Sequence, residues 1–65
     1  MPVYKNSDMM RIIDEYVHNP RYREILRLRF IDSFTYEEIA EAVGFSTPHV
    51  KYICKSYKQL LITYL

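Results

Sequence analysis

The side chains best suited to chemistry in this 65-residue sequence lie between residues 46 and 58. This segment carries hydroxyl, imidazole, phenol and ammonium groups and no carboxylate. Such groups donate hydrogen bonds to phosphate oxygens and to the edges of bases, whereas a carboxylate repels phosphate. The residues that we single out are Ser46, Thr47, His49, Lys51, Tyr52, Lys55 and Lys58. Their types and spacing point to contact with nucleic acid.

Charge is unevenly divided along the chain, although the formal net charge is only +1. Residues 1–44 hold six basic and eight acidic side chains, a balance of −2, while residues 45–65 hold three lysines and no acid, a balance of +3. An acid-free helix that follows an acidic one is what approach to a phosphate backbone requires. The alternative is a chance run of solvated lysines, and the helical motif described next favours the first interpretation.

Two short helices are expected to position these side chains. The first should begin with a capping box, in which the Thr35 hydroxyl accepts from the amide of Glu38 and the Glu38 carboxylate accepts from the amide of Thr35. Gly44 stands where this helix should end, at the position that most readily takes the left-handed conformation. Ser46 or Thr47 can cap the second helix.

The apolar and small residues around this turn have the spacing of a DNA-reading helix-turn-helix. The small Ala40 lets the second helix approach closely, and Phe45 fills the turn. The residues that meet these steric needs together are Ile39, Ala40, Val43, Gly44, Val50 and Ile53. An ordinary helical bundle would explain the apolar residues but not the small residue, the glycine and the cap in this register. The sequence therefore predicts a helix-turn-helix over about residues 35–55.

Two further helices should precede the motif and follow a loosely held arm at residues 1–6. The first is capped by Asn6 or Ser7 and runs to about His18. The second runs from Pro20 to about residue 31, since proline suits the first turn of a helix. It carries Arg21, Arg23, Arg27 and Arg29. We expect some of these arginines to pair with acids of the third helix, and one or two could contact phosphate.

Length and composition limit the class of protein. We expect residues 1–65 to form a single all-α, four-helix domain, which is too small for a deep catalytic cleft. A single cysteine cannot form an internal disulfide, so a reducing, cytoplasmic compartment is the simplest expectation. The sequence shows no signal peptide and no membrane span, and we expect no membrane partner.

No catalytic or metal-binding set can be assembled from these side chains. His18, His49 and Cys54 lack the spacing of metal ligands. Cys54 is better interpreted as a small packing residue than as a redox sensor. Glu37 and Glu38 suit the start of a helix, not an acid/base pair. We therefore expect no enzyme activity, no metal and no cofactor.

The C-terminal segment, residues 58–65, is too apolar to lie entirely in water. Leu61 continues the buried line of the preceding helix, but four other apolar residues cannot all share that face. They are Leu60, Ile62, Tyr64 and Leu65. Since an exposed apolar patch usually marks a partner surface, we expect a homodimer interface or a docking site here. The alternative is that the segment folds back on the first helix.

Residues 21–61 resemble region four of bacterial sigma factors, the domain that reads promoters. The matching pieces are REILRLRF (residues 23–30), TYEEIA (35–40), GFS (44–46) and VK (50–51). The segment is also similar to the LuxR/GerE-type domain, in which Thr-Val-Lys stands where His49-Val50-Lys51 stands here. Both families are tetrahelical helix-turn-helix domains. The resemblance implies binding to double-stranded DNA and, for sigma region four, docking on RNA polymerase.

The sequence departs from the sigma pattern where the recognition helix begins. In the family this stretch is rich in charged residues, whereas Pro48 offers no side-chain hydrogen bond. The other sigma regions are also missing, so we expect a small regulator of phage or bacterial origin and not a complete sigma factor.

We expect a sequence-specific transcriptional regulator that binds DNA as a dimer, with its recognition helix in the major groove. The expected base-reading residues are Thr47, His49, Lys51 and Tyr52. The expected phosphate contacts are Thr35, Ser46, Lys55 and Lys58. One alternative is a protein-binding module that docks on RNA polymerase or a sigma factor without reading DNA. Another is the DNA-recognition part of a phage packaging protein.

Overall fold

The computed structural model describes residues 6–64, which form four helices. They are α1 (Asn6–Tyr16), α2 (Pro20–Phe30), α3 (Tyr36–Val43) and α4 (Thr47–Tyr64). The predicted all-α, four-helix class is confirmed. The expected arm at residues 1–6, apart from Asn6, lies outside the described residues, as does Leu65. Within the described range, no helix combines the length and apolar character needed to cross a membrane.

Local sequence fixes where α2 begins. The Asn19 side chain accepts hydrogen bonds from the amides of Arg21, at 2.9 Å, and Tyr22, at 3.4 Å. Pro20 occupies the first turn, where a missing N–H leaves no hydrogen bond unmade. The junction between the first two helices is therefore a cap at Asn19, followed directly by a new helix that begins at Pro20.

Both ends of α3 have the conformations that the sequence predicts. Glu38 donates its amide to the Thr35 hydroxyl at 3.2 Å, and the Glu38 carboxylate accepts from the Thr35 amide at 2.9 Å. At the other end, Gly44 is left-handed, with φ of 76°, and donates its amide to the carbonyl of Ala40. The capping box and the glycine turn thus fix the length of the helix and the direction of the chain beyond it.

Two buried clusters hold the helices together, and α4 contributes to both. The first joins α2, α3 and α4 and contains Ile25, Ile39, Ala40, Val43, Val50, Ile53 and Cys54. The second joins α1, α2 and α4 and contains Ile12, Ile13, Val17, Leu26 and Leu61. Tyr22 and Tyr57 pack against both clusters and meet edge to face at 6.0 Å. The 18 residues of α4 are therefore held along their length by the rest of the fold.

The arginines of α2 do not pair with acids of α3 in the described residues, and that expectation is wrong. Arg21 donates to the carbonyl of Val43, at the end of α3, at 2.8 Å. Arg23 donates to the Val17 and Asp14 carbonyls, at the end of α1. These carbonyls lack partners within their own helices, and a long guanidinium side chain can reach them.

One arginine does form an ion pair, and its partner is on α1. The Arg27 guanidinium lies 2.6 Å from the Asp14 carboxylate. On α3 the carboxylate of Glu38 is already bonded within the capping box, and those of Glu37 and Glu41 belong to exposed residues. Three arginines of α2 therefore join it to α1 and α3.

The C-terminal part of α4 folds back on α1 to a greater extent than expected. Leu61 is buried in the second cluster, and Leu60 packs half-buried against it. The ring of Tyr64 stacks on that of Tyr16, with centroids 4.2 Å apart. Among the large apolar side chains described in this segment, the most exposed are Ile62, at 55%, and Tyr64, at 50%. The apolar patch is therefore narrower than the sequence suggested.

Gly44 and Ser33 both have a left-handed backbone conformation, and substitutions at these two positions should change stability in opposite directions. A Cβ at Gly44 would meet no atom within 4 Å, so Gly44→Ala adds backbone strain alone and should lower the free energy of unfolding by about 1 kcal/mol. Ser33 has φ of 60°, so Ser33→Gly should raise it by up to about 1 kcal/mol. Urea denaturation measures both, and a stabilising Gly44→Ala would contradict this interpretation.

Candidate nucleic-acid interface

The N-terminal half of α4 presents a continuous exposed face. Its opposite face is buried through Val50, Ile53 and Cys54. The exposed residues of this half are Pro48, His49, Lys51, Tyr52 and Lys55, and Thr47 is half-buried. This face contains no carboxylate. The structure therefore gathers the four predicted base-reading residues in the first two turns of a single helix.

Ser46 caps α4, which decides between the two residues that the sequence allowed. Its hydroxyl accepts from the amide of His49 at 3.3 Å, and its carbonyl accepts from the amide of Val50 at 3.0 Å. Pro48 is the second residue of the helix, where an amide would have no intrahelical partner. The proline that weakens the resemblance to the sigma pattern is thus compatible with a regular first turn.

The imidazole of His49 is stacked on the ring of Phe45. The centroids lie 4.9 Å apart and the planes differ by 8°. Phe45 in turn packs against the first buried cluster. The stack restricts the orientation of an exposed, base-sized donor at the start of α4. Sequence reasoning missed this contact, although the spacing of four residues across the turn was a usable signal.

A basic groove lies beside the middle of α4. It has a volume of about 120 Å³ and is lined by Arg29, Phe30, Tyr36, Cys54, Lys55 and Lys58. Arg29 is held in place because it donates to the Phe34 carbonyl at 2.9 Å and lies 4.3 Å from the centroid of the Tyr36 ring. Three cationic side chains around one groove suit a phosphate group.

Arg29 could not be distinguished from the other arginines of α2 by sequence. Apart from Phe30, its neighbours in the groove are contributed by α3 and α4, and Lys58 is 29 positions away along the chain. Only the packing of α2 against α4 brings it beside the lysines. No local pattern in the sequence signals that proximity.

The comparison with protein families decides the identity of this helical arrangement. Residues 19–56, more than half of the 65, match the family model for sigma-70 region 4. The chain belongs to the sigma-70 region 4 family. Neither the curated proteins nor the solved structures gave a match. The family consists of DNA-binding helix-turn-helix domains and not of enzymes, and its members bind DNA and RNA polymerase.

The match covers the part of this region 4 domain that builds the exposed face. It spans α2, α3 and the first half of α4. The resemblance predicted from the sequence is therefore confirmed on the same segment. Helix α1 and the end of α4 lie outside the match.

At the start of α3, the amide and the hydroxyl of Thr35 are already hydrogen-bonded to Glu38. The hydrogen bond that the Thr35 amide donates to the Glu38 carboxylate, helped by the adjacent Thr35 hydroxyl, holds the pKa of this carboxyl below its usual range. The charged carboxylate favours the positive end of the helix dipole. A phosphate at this end of the region 4 domain would have to approach beside Glu37 and Glu38.

Cys54 lies in the first buried cluster and not on the exposed face. Burial raises the pKa of its thiol, and the nearby charge of Arg29 opposes that rise. A thiol is a poor nucleophile compared with a thiolate, so the structure favours the packing role. Among the described residues, no three His, Cys, Asp or Glu side chains come together to hold a metal ion.

The capping box makes the stability of the domain depend on acid pH. Because the folded-state pKa of Glu38 is lowered, its contribution is present at neutral pH and is lost as the pH falls through the folded pKa. The unfolding free energies of wild type and Glu38→Gln should thus converge as the pH falls below the ordinary pKa of a glutamate carboxyl, about 4.3. Urea titrations at several pH values measure this difference. Glu41→Gln, an exposed change on the same helix, is the control. A difference in unfolding free energy between wild type and Glu38→Gln that stays constant with pH would contradict the assignment.

Proposed function

We propose that this domain is a sequence-specific transcriptional regulator that inserts the N-terminal half of α4 into the major groove of double-stranded DNA. The observation that carries the proposal is the acid-free exposed face of α4, which lies opposite the stripe buried in the core. The DNA-binding character of the family supports it. A recognition helix reads base edges with its N-terminal residues, which are the ones exposed here.

Four residues are proposed to read bases. The Lys51 ammonium can donate to the O6 and N7 atoms of guanine, and the Thr47 methyl can pack on thymine. His49 offers ring nitrogens at an orientation restricted by Phe45. Tyr52 is the most exposed of the described tyrosines, at 70%. All of them lie on one helix, so their spacing along the groove is rigid.

The phosphate contacts are proposed to flank this reading face. Lys55 and Lys58 belong to the basic groove, and we add Arg29 to them because its guanidinium is held beside both. Ser46 and Thr35 stand at the two helix starts of the motif, where the helix dipole attracts anions. At Thr35 a phosphate would lie beside the carboxylates of Glu37 and Glu38. A phosphate backbone contacted at these points would fix the helix in the groove.

A dimer is proposed because one domain of this size makes few contacts with DNA. Two copies would occupy half-sites about one helical turn apart. Ile62 and Tyr64 are exposed apolar side chains in the last turns of α4, on different sides of the helix because they are two residues apart. Leu60 packs against the second cluster on the side of Tyr64. We propose that they form the interface together with Leu65. The narrow patch is consistent with a weak dimer that DNA stabilises.

Docking on RNA polymerase or a sigma factor is the second candidate function. The specific observation in its favour is the same exposed apolar end of α4, in a family whose members bind polymerase. In that case the domain would act without base-specific contacts. Binding to DNA of random sequence separates the two candidates.

Replacing single cations should separate base reading from phosphate contact. Binding is measured by fluorescence anisotropy on a duplex selected from a random pool, over a series of salt concentrations. Lys51→Ala should weaken specific binding by ~1–3 kcal/mol and relax the sequence preference. Lys55→Ala should weaken binding to all sequences similarly and reduce the salt slope by about 1.

The matched control is Arg11→Ala, which removes an exposed cation on α1, outside residues 19–56 that match the family model. It should leave affinity and salt slope unchanged. The proposal is wrong if the purified domain fails to bind any duplex at low salt, or if Lys51→Ala binds the selected site as tightly as wild type.

A charge placed in the apolar patch should separate the copies. Ile62→Asp puts a carboxylate where two patches would meet, and burying it unpaired is unfavourable. Sedimentation equilibrium should show a concentration-dependent dimer for wild type and a monomer for the variant. Gln59→Asp, an exposed change one turn earlier, serves as control. A wild type that stays monomeric at every concentration, free and on DNA, would rule out the dimer.

A further inference from the structure

Tyr52 is unlike the other tyrosines that the structure describes. Each of the other five has an aromatic or guanidinium partner: Tyr16 with Tyr64, Tyr22 with Tyr57, and Tyr36 with Arg29. Within residues 6–64, no such partner is found for Tyr52, and its exposure of 70% is the largest among the big apolar side chains. A ring left in water on a helix face is a surface available to a partner.

The surface of Tyr52 on α4 continues into one apolar neighbour. Pro48 lies one turn earlier, four residues away, and is exposed on the same side of the helix. Its ring has no hydrogen-bonding group, and the phenol ring continues that apolar strip. Lys51 and Lys55 lie along one side of the strip, and the exposed His49 and Ser56 lie along the other. The strip is therefore suited to an apolar group that has a phosphate backbone beside it.

The major groove of DNA offers one such group. Thymine carries a C5-methyl there, between two phosphate backbones, and no other unmodified base has an apolar group at that edge. We propose that the ring of Tyr52, next to Pro48, packs against a thymine methyl and makes the domain select thymine at that position. This proposal rests on the proposed function, since it requires α4 to lie in the major groove.

The test removes the methyl from the DNA and the ring from the protein. Each thymine of the selected duplex is replaced in turn by deoxyuridine, which keeps the base pair and its hydrogen bonds. Binding is measured by anisotropy. At one or two positions the wild type should lose about fourfold in affinity, the factor that corresponds to burial of one methyl group.

Two variants at Tyr52 assign that loss to the ring. Tyr52→Phe keeps the ring and should keep the deoxyuridine penalty, whereas Tyr52→Ala should bind the thymine and deoxyuridine duplexes equally. Because Tyr52 is 70% exposed, its replacement should leave the fold intact, which the melting temperature of each variant checks. Thr47→Ser completes the set, because it removes the methyl group of the other residue proposed to contact thymine.

The outcomes separate this inference from the proposed function. A deoxyuridine penalty that disappears only in Tyr52→Ala supports the inference. If the domain binds a selected sequence without any penalty, or if the penalty persists in Tyr52→Ala and is lost in Thr47→Ser, the inference is wrong and DNA binding stands. If no duplex is bound, both are wrong, and the exposed ring belongs to a protein contact.

Discussion

The rest of the structure depends on α4, a long helix that must bury one apolar face in two different clusters. The first half of α4 is buried through Val50, Ile53 and Cys54 against α2 and α3. The second half is buried through Leu61 against α1 and α2. Because both halves are fixed, α4 can neither rotate nor slide without exposing apolar surface, which is unfavourable. The face that remains outside is therefore determined by the core.

The turn before α4 controls how that face is presented. Gly44 takes the left-handed conformation, and Ser46 then caps the new helix within two residues. The small Ala40 is buried where α3 meets α4. Phe45 packs inward and carries the stacked His49 outward. A short turn with these constraints leaves the reading residues on a rigid support, which specific contact with bases requires.

Most arginines of α2 hold helices together, although they count fully in the net charge. Arg21, Arg23 and Arg27 join helices by bonding to carbonyls and to one carboxylate. Their partners are at the ends of α1 and α3, so these charges serve the packing of the helices. Arg29 is shared, since it anchors the loop before α3 and also lines the basic groove. The distribution of charge therefore informs about binding where the sum does not.

Local signals in the sequence predicted the motif well. Thr35, Glu38, Gly44 and the apolar positions of α3 and α4 act over a few residues, so their spacing alone defines the capping box, the turn and the buried stripe. The carbonyl partners of the arginines, the stack of Tyr16 on Tyr64 and the groove at Arg29 were not predictable. Most of these contacts join residues that are distant in the chain, and the short-range ones, such as that of Arg23 with the Val17 carbonyl, also depend on how the helices pack. The position of Ser33 in the left-handed region likewise depends on how the loop is closed.

The central claim is that the exposed face of α4 contacts DNA, and amide chemical shifts measured on titration with a selected duplex test it most directly. At 7.9 kDa the protein suits such spectra. The account predicts the largest changes at residues 46–55 and near Thr35, with the amides at the centre of α1 unchanged. A complex that forms while residues 46–55 keep their free shifts would contradict it, because DNA would then contact another surface.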